Sequence, residues 1–230
     1  MMLVLCLHAS HAWAGPPYVT DDPVPTDTGR WEIFAYTDNN FDRHASATEA
    51  GFDINYGAAA NLQLTATLAV QRETGTGVDP ADIEMGMKYR LVDSQAHGFQ
   101  LAVFPKLVLP TAPGPGKVAV QLPAWAQYDS GSWSLFGGGG VTLQRGSGKR
   151  DFWEAGMALV REVREGFSCG VELAHSSAEE SGSHGATTAG VAFNLHVSGP
   201  LSLVGAAGPV FENHTDETSI RAYFGLLINF

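Results

Sequence analysis

The residues best suited to covalent chemistry are His175, Ser176 and Ser177, a run in which His175 and Ser177 share one face of an extended segment. A serine nucleophile needs a base within hydrogen-bond reach and a third group to orient that base, and Glu179 and Glu180 follow closely enough to supply it. Such a set would hydrolyse an ester or amide. His-x-Ser also arises by chance in Ser-rich loops, so a loop without chemistry is the competing reading. His44, His175, His184 and His214 are scattered singly, with no pair at local ligand spacing, and no metal site is expected. Gly114 to Lys117 and Gly146 to Lys149 look like the end of a phosphate-binding loop. Both lack the earlier glycine and the Ser or Thr after Lys, and read as hairpin loops. The two cysteines, Cys6 and Cys169, form no C-x-x-C pair, so neither thiol-bound zinc nor a redox cofactor is expected.

A second group of candidates is ordered by periodicity. Alternation bounded by Gly, Pro, Asn, Asp and Ser gives twelve strands, at 30–38, 47–57, 61–72, 81–92, 98–110, 117–128, 131–143, 151–161, 167–177, 185–197, 200–210 and 218–230. Most exceed the ~5 to 6 residues usual in globular sheets and match the ~9 to 11 of a tilted membrane-spanning strand. The gaps between them alternate long and short, as the external loops and periplasmic turns of an outer-membrane barrel do. In the strand at 61–72, Leu62, Leu64, Ala66, Leu68 and Val70 share one face, and Gln63, Thr65, Thr67 and Gln71 the other.

Alternation alone fits a soluble barrel with the apolar face inside equally well. The aromatic residues separate the two cases. Parity and strand direction put Trp31, Tyr56, Tyr89, Phe99, Tyr128, Trp133, Phe167 and Phe230 on the apolar face at one end, an aromatic girdle for which a closed apolar interior has no use. The apolar face is therefore expected to meet lipid. The other face lines the lumen and carries Glu32, Glu84, Lys88, Arg90, Lys106, Glu154, Glu172 and Arg221, with Phe104, Trp125 and Phe136 also pointing inward. Those charges suit either a selectivity lining or a salt-bridged filling. Gly137 to Gly140, in mid-strand, suggests a bend or the close approach of another segment.

The 230-residue composition agrees with this. It has 44% hydrophobic and 16% charged residues, 27 glycines and a mean hydropathy of −0.02, and no apolar run reaches the ~18 residues of a membrane helix. The net charge of −11 repels phosphate backbones and excludes nucleic acid as a partner. Residues 1–14 read as a signal peptide ending Ala12-Trp13-Ala14. Residues 15–29 form a Pro- and Asp-rich periplasmic leader that either tucks into the barrel mouth or stays a free tail, and 30–230 the barrel. The last strand ends on Phe230 and resembles the terminal signal through which the barrel assembly machinery recognises its clients.

Several motifs are jointly specific: Gly-Pro-Pro-Tyr-Val-Thr-Asp-Asp-Pro at 15–23, Gly-Arg-Trp-Glu at 29–32, Asp-Ile-Glu-Met-Gly-Met-Lys-Tyr-Arg at 82–90, Phe-Pro-Lys-Leu-Val-Leu-Pro-Thr at 104–111, and Leu-Pro-Ala-Trp-Ala-Gln at 122–127. Trp133 followed by Gly137 to Gly140 continues the series. Together they resemble, over essentially the whole mature chain, the outer-membrane transporter family labelled "MetA-pathway of phenol degradation". The resemblance implies an outer-membrane barrel associated by name with aromatic catabolism, and no catalytic residues.

The sequence thus predicts an all-β fold, a transmembrane antiparallel up-and-down β-barrel of twelve strands, in the bacterial outer membrane with both termini periplasmic. Its expected partners are outer-membrane lipid and lipopolysaccharide, the assembly machinery and a small-molecule solute. The leading function is a passive channel or uptake porin for small solutes, aromatic or apolar ones included. The alternatives are a lipid-modifying barrel enzyme, an esterase or deacylase using His175 and Ser177, and a filled structural barrel.

Overall fold

The computed structural model describes residues 17–94, 97–111, 117–215 and 217–230. The predicted signal peptide and the first two residues of the leader lie outside them. Fourteen strands occur among the described residues: β1 Trp31–Phe41, β2 Ser46–Ala59, β3 Leu62–Glu73, β4 Val78–Pro80, β5 Ile83–Ser94, β6 Phe99–Val103, β7 Lys106–Leu109, β8 Ala119–Ser130, β9 Trp133–Leu143, β10 Phe152–Arg164, β11 Phe167–Ser176, β12 Ala186–Ser198, β13 Leu201–Glu212 and β14 Thr218–Asn229.

Two of the predicted strands are each broken in the middle. β4 and β5 form one stave interrupted at Ala81 and Asp82, and Ala81 still donates its N–H to the Ala69 carbonyl across the break. β6 and β7 form another, interrupted at Phe104 and Pro105. Proline has no N–H to give the ladder, but its carbonyl accepts from Met87 N–H at 3.1 Å, and Phe104 N–H reaches the Pro123 carbonyl at 2.9 Å. Counted as staves there are twelve. Every neighbouring pair is antiparallel, and β1 pairs with β14 from Glu32↔Asn229 to Phe41↔Ile220, so the sheet closes on itself. Closure gives every stave a partner on both sides, which an open sheet in hydrocarbon cannot have.

Four connections, 60–61, 131–132, 165–166 and 199–200, have only two residues, and all lie at one end. Each places one residue at positive φ: Asn61 at 65°, Gly131 at 61°, Gly166 at 73° and Gly199 at 53°. Three of the four are entered through a register shift, between Gly57 and Ala59, Glu162 and Arg164, and His196 and Ser198. A bulge next to a left-handed residue is the usual way to turn a strand tightly without splaying the pair.

Leu68, Met85, Leu173, Val191 and Phe224 are 45% to 62% exposed on the outer wall, whereas Phe34, Phe136, Val160, Val204 and Leu227 are at most 3% exposed inside. Large apolar side chains are thus presented outward in every part of the barrel, while a smaller set packs inside the lumen. Along the glycine run of β9, Gly137 to Gly140 stay in register with β8 and β10 throughout. The neighbouring backbone sits too close for side chains: a Cβ at Gly137 would meet the Gly156 carbonyl at 2.6 Å, and one at Gly140 would meet Pro123 Cα at 2.5 Å.

Leu68 lies on the outer wall opposite Phe52, midway along β3. Leu68→Arg is expected to lower unfolding stability in phospholipid vesicles by ~2 to 4 kcal/mol, read from urea titration of the heat-modifiable gel shift.

Candidate functional site: the lumen and its inserted leader

The predicted inward residues separate into two groups by what they hold. One pairs within the wall. Glu84 Oε2 accepts from Lys106 Nζ at 3.2 Å. Arg90 is shared among Asn61 at 3.0 Å, Gln100 at 2.9 Å and Asp93 at 3.0 Å. Arg221 grips Asp38 through Nε and Nη2, at 2.7 to 3.0 Å. Beside it Tyr36 stacks on Tyr223, with ring centroids 5.6 Å apart, and donates to Glu49. Glu154 stands opposite Gly140 on one side and Ser176 on the other. Trp125 is 5% exposed.

The other group holds the leader, which enters the lumen instead of hanging free. Beginning at the far wall, Glu172 of β11 accepts the backbone N–H groups of Val19 at 3.1 Å and Thr20 at 2.5 Å, one on each carboxylate oxygen. Tyr18 meets Phe136 edge-on at 5.4 Å and packs with Ala158, Val160 and Ala192. Burial, with the Glu172 carboxylate nearby, holds the Tyr18 phenol above its usual range, so it stays protonated. Lys88 of β5 then bonds Asp21 at 2.9 Å and reaches Asp22 at 3.6 Å, with its side chain 5% exposed and that of Asp22 only 3%. Gln63 Oε1 accepts from Thr26 N–H at 2.8 Å. Near the mouth Thr28 bridges Gly57, whose N–H bonds the Arg30 carbonyl at 3.0 Å. The leader therefore crosses the lumen from β11 to β2.

Three inward glycines make room for it. A Cβ at Gly57 would overlap the Asp27 carbonyl, one at Gly156 the Thr20 hydroxyl, and one at Gly170 would come within 2.6 Å of Tyr18 Oη. Beside the leader a cavity of about 500 Å³ remains, bounded by the β1–β3 wall and by Lys88, Phe104 and Lys106. Both lysines lie about 5 Å from the Phe104 ring centroid, at 5.1 and 5.0 Å. That is cation–π range, so Phe104 serves as packing between charges.

The eight predicted girdle residues sit near the short-turn end. Trp31 pairs with Tyr56 at 4.6 Å between rings, Phe99 is in register with Tyr128, and Arg161 and Arg164 lie over Trp133 and Phe167 at 5.2 and 5.9 Å. Tyr89 is opposite Leu62, and the Phe230 carbonyl accepts from Trp31 N–H. The predicted His175–Ser177 pair is differently engaged. His175 Nδ1 is 2.9 Å from Thr187 Oγ1, and Ser177 Oγ accepts the Trp153 N–H at 3.0 Å. Glu180 is drawn off by Lys149, at 2.5 Å. His184 lies 3.3 Å from Glu212, with the His214 ring 6.2 Å away, while His44 belongs to a separate turn in which its N–H meets Asp42.

Asp38, Glu49, Asp53 and Asn55 also line the lumen and were absent from the predicted set, whereas Gln63 is on the polar face expected for it. Their parity was readable: Asp53 and Asn55 lie two residues apart in the strand at 47–57. Their partners, on other staves or in the leader, were not.

A closed barrel of twelve antiparallel staves, with an apolar outer wall and a leader inserted in its lumen, is the fold of an outer-membrane β-barrel. Superposition on solved structures agrees. The chain matches the COG4313 outer membrane channel from Pseudomonas putida F1 with a TM-score of 0.72 and 14% identity, over 91% of this chain and 98% of that one. It matches the KdgM porin, solved in complex with disordered oligogalacturonate, with a TM-score of 0.65 and 11% identity, over 86% and 99%. The translocator domain of the autotransporter NalP from Neisseria meningitidis follows with a TM-score of 0.57 and 12% identity, over 89% and 90%. No protein-family model and no curated protein matches the sequence.

Lys88→Met would strand Asp21 and Asp22 in the lumen without their cation, a loss of ~3 to 5 kcal/mol for a broken buried pair. Limited proteolysis should then cut within residues 17–29 at least tenfold faster than in the wild type. Adding Asp21→Asn and Asp22→Asn to the same chain should restore much of the protection.

Proposed function

We propose that the chain is an outer-membrane channel through which small solutes, aromatic or apolar ones included, pass passively. The observation that carries this reading is what obstructs the lumen. Beside the wall's own cluster of Phe34, Val204, Tyr223 and Leu227, a single segment crosses it, held by side-chain contacts to Glu172, Lys88 and Gln63, with a cavity of about 500 Å³ next to it. A wall of interlocked side chains could not be moved aside without unfolding the barrel, whereas a leader held this way can be. Similarity in fold to channels and porins supports the same reading, and the sequence resemblance to transporters associated with phenol degradation favours an aromatic solute.

In this arrangement the short turns and both termini face the periplasm, and the longer loops face outward. The aromatic ring from Trp31 to Phe230 lies at the inner headgroup level, where amphipathic rings are enriched. Lipid and lipopolysaccharide cover the apolar wall, and the strand ending at Phe230 is the one presented to the assembly machinery. No lipid-hydrolysing role is assigned to His175 and Ser177, since each is hydrogen-bonded to another partner.

In planar bilayers the purified chain should give a small unitary current, and deletion of residues 17–28 should raise it several-fold. Absence of current from both forms would overturn the channel in favour of a filled structural barrel. Phospholipid and lipid A hydrolysis should be indistinguishable between Ser177→Ala and wild type. A drop in the variant would revive the enzymatic alternative.

A further inference from the structure

The charges around the cavity beside the leader do not balance. Asp21, Asp22, Asp27, Glu32 and Asp53 line it against Arg30, Lys88 and Lys106. Both lysines are already committed, Lys88 to the two leader aspartates and Lys106 to Glu84. Among the described residues no ion pair reaches Glu32 or Asp53. Oδ1 of Asp53 is also closed off from solvent and has no hydrogen-bond partner. The neighbouring amide of Asn55 hydrogen-bonds the Asp53 carboxyl while its Oδ1 accepts from Gln63 and Thr65, so what Asp53 lacks is an ion-pair partner.

Register brings these two carboxyls together. Glu32 stands opposite Asn55, and Asp53 opposite Phe34, so Glu32 and Asp53 occupy diagonal inward positions on the paired strands β1 and β2. Diagonal neighbours are ~7 to 8 Å apart at Cα, close enough for both to meet one group placed between them. Among the described residues neither carboxyl has a cation in ion-pair contact, and a cation supplied by a ligand in the cavity would provide one. An anionic ligand would meet the excess negative charge. The rest of the cavity sets the ligand's body: Val24 and Pro25 of the leader offer apolar surface. The volume of about 500 Å³ lies within the ~300 to 1,000 Å³ of small-molecule sites.

We propose that Glu32 and Asp53 form a binding subsite for an organic cation, an amine carried on a compact apolar or aromatic body, in the cavity between the inserted leader and the β1–β3 wall. The subsite rests on the channel reading for its role, as a station where the solute pauses beside the leader, but not for its binding.

The test uses the purified full chain in detergent and three probes of matched size: phenethylammonium, phenethyl alcohol and phenylacetate. Calorimetry should show the ammonium binding at least tenfold tighter than the alcohol, with no measurable binding of the carboxylate. Glu32→Gln and Asp53→Asn should each weaken ammonium binding at least fivefold, and the double variant should bind ammonium and alcohol alike. Arg145→Ala, in an outer loop, should leave all three affinities unchanged. Equal affinity of the wild type for ammonium and alcohol overturns the subsite, as does a preference that survives in a correctly folded double variant. The wild-type comparison decides alone if the variants fail to fold. Bilayer recordings on the same preparations keep the two readings apart: cation binding without current overturns the channel only, and current without cation preference overturns the subsite only.

Discussion

The pairing of β1 with β14 is the constraint on which the rest depends. It joins residues nearly 200 positions apart in the chain, from Glu32↔Asn229 to Phe41↔Ile220, and in doing so removes the last open edge of the sheet. A backbone with no water to bond to has to satisfy its N–H and C=O groups within the sheet. Once the ring is closed, inward and outward become fixed for every residue by the two-residue period of a strand. Leu68 and Phe224 are then committed to the outer surface, and Lys88 and Glu172 to the lumen.

Closure also creates the difficulty that the leader resolves. A ring of twelve staves encloses more space than its own inward side chains fill, and several of those are glycines. Tyr18 and Thr20 take up the room left at Gly170 and Gly156, and Asp21 and Asp22 neutralise a lysine that would otherwise be buried alone. Glu172 satisfies two backbone donors in the way a neighbouring strand would. The lumen is thus stabilised by contacts that are charge-assisted and specific, yet concentrated on a few side chains of the wall. Stability and obstruction of the route come from the same segment.

Much of the wall was legible from the sequence because alternation is local. The run from Gln63 to Gln71 shows its polar face whatever surrounds it, and the aromatic residues near the short turns identify which face is outward. Other parts were not legible. The break at Phe104 and Pro105 depends on which N–H the ladder needs at that point, which is set by the neighbours β5 and β8. The four-glycine run left a bend and a close approach both open, and the closeness of the backbones on either side decides for the second. His175 and Ser177 had suitable spacing, yet their hydrogen bonds go to Thr187 and the Trp153 N–H.

By itself the sequence determined twelve staves, their faces and the aromatic ring, because each follows from short-range periodicity that hydrophobic burial enforces strand by strand. Only the tertiary structure decided where the Pro- and Asp-rich leader goes and which charges are paired. A segment with four prolines and three aspartates has the composition of a solvated tail. From residue 17 on it lies inside because Lys88, Glu172 and Gln63, distributed over three staves, converge on it once the barrel has closed. The same convergence leaves Glu32 and Asp53 outside the ion pairs seen among the described residues, since charge balance inside a lumen is a sum over the whole ring and no single strand contains it.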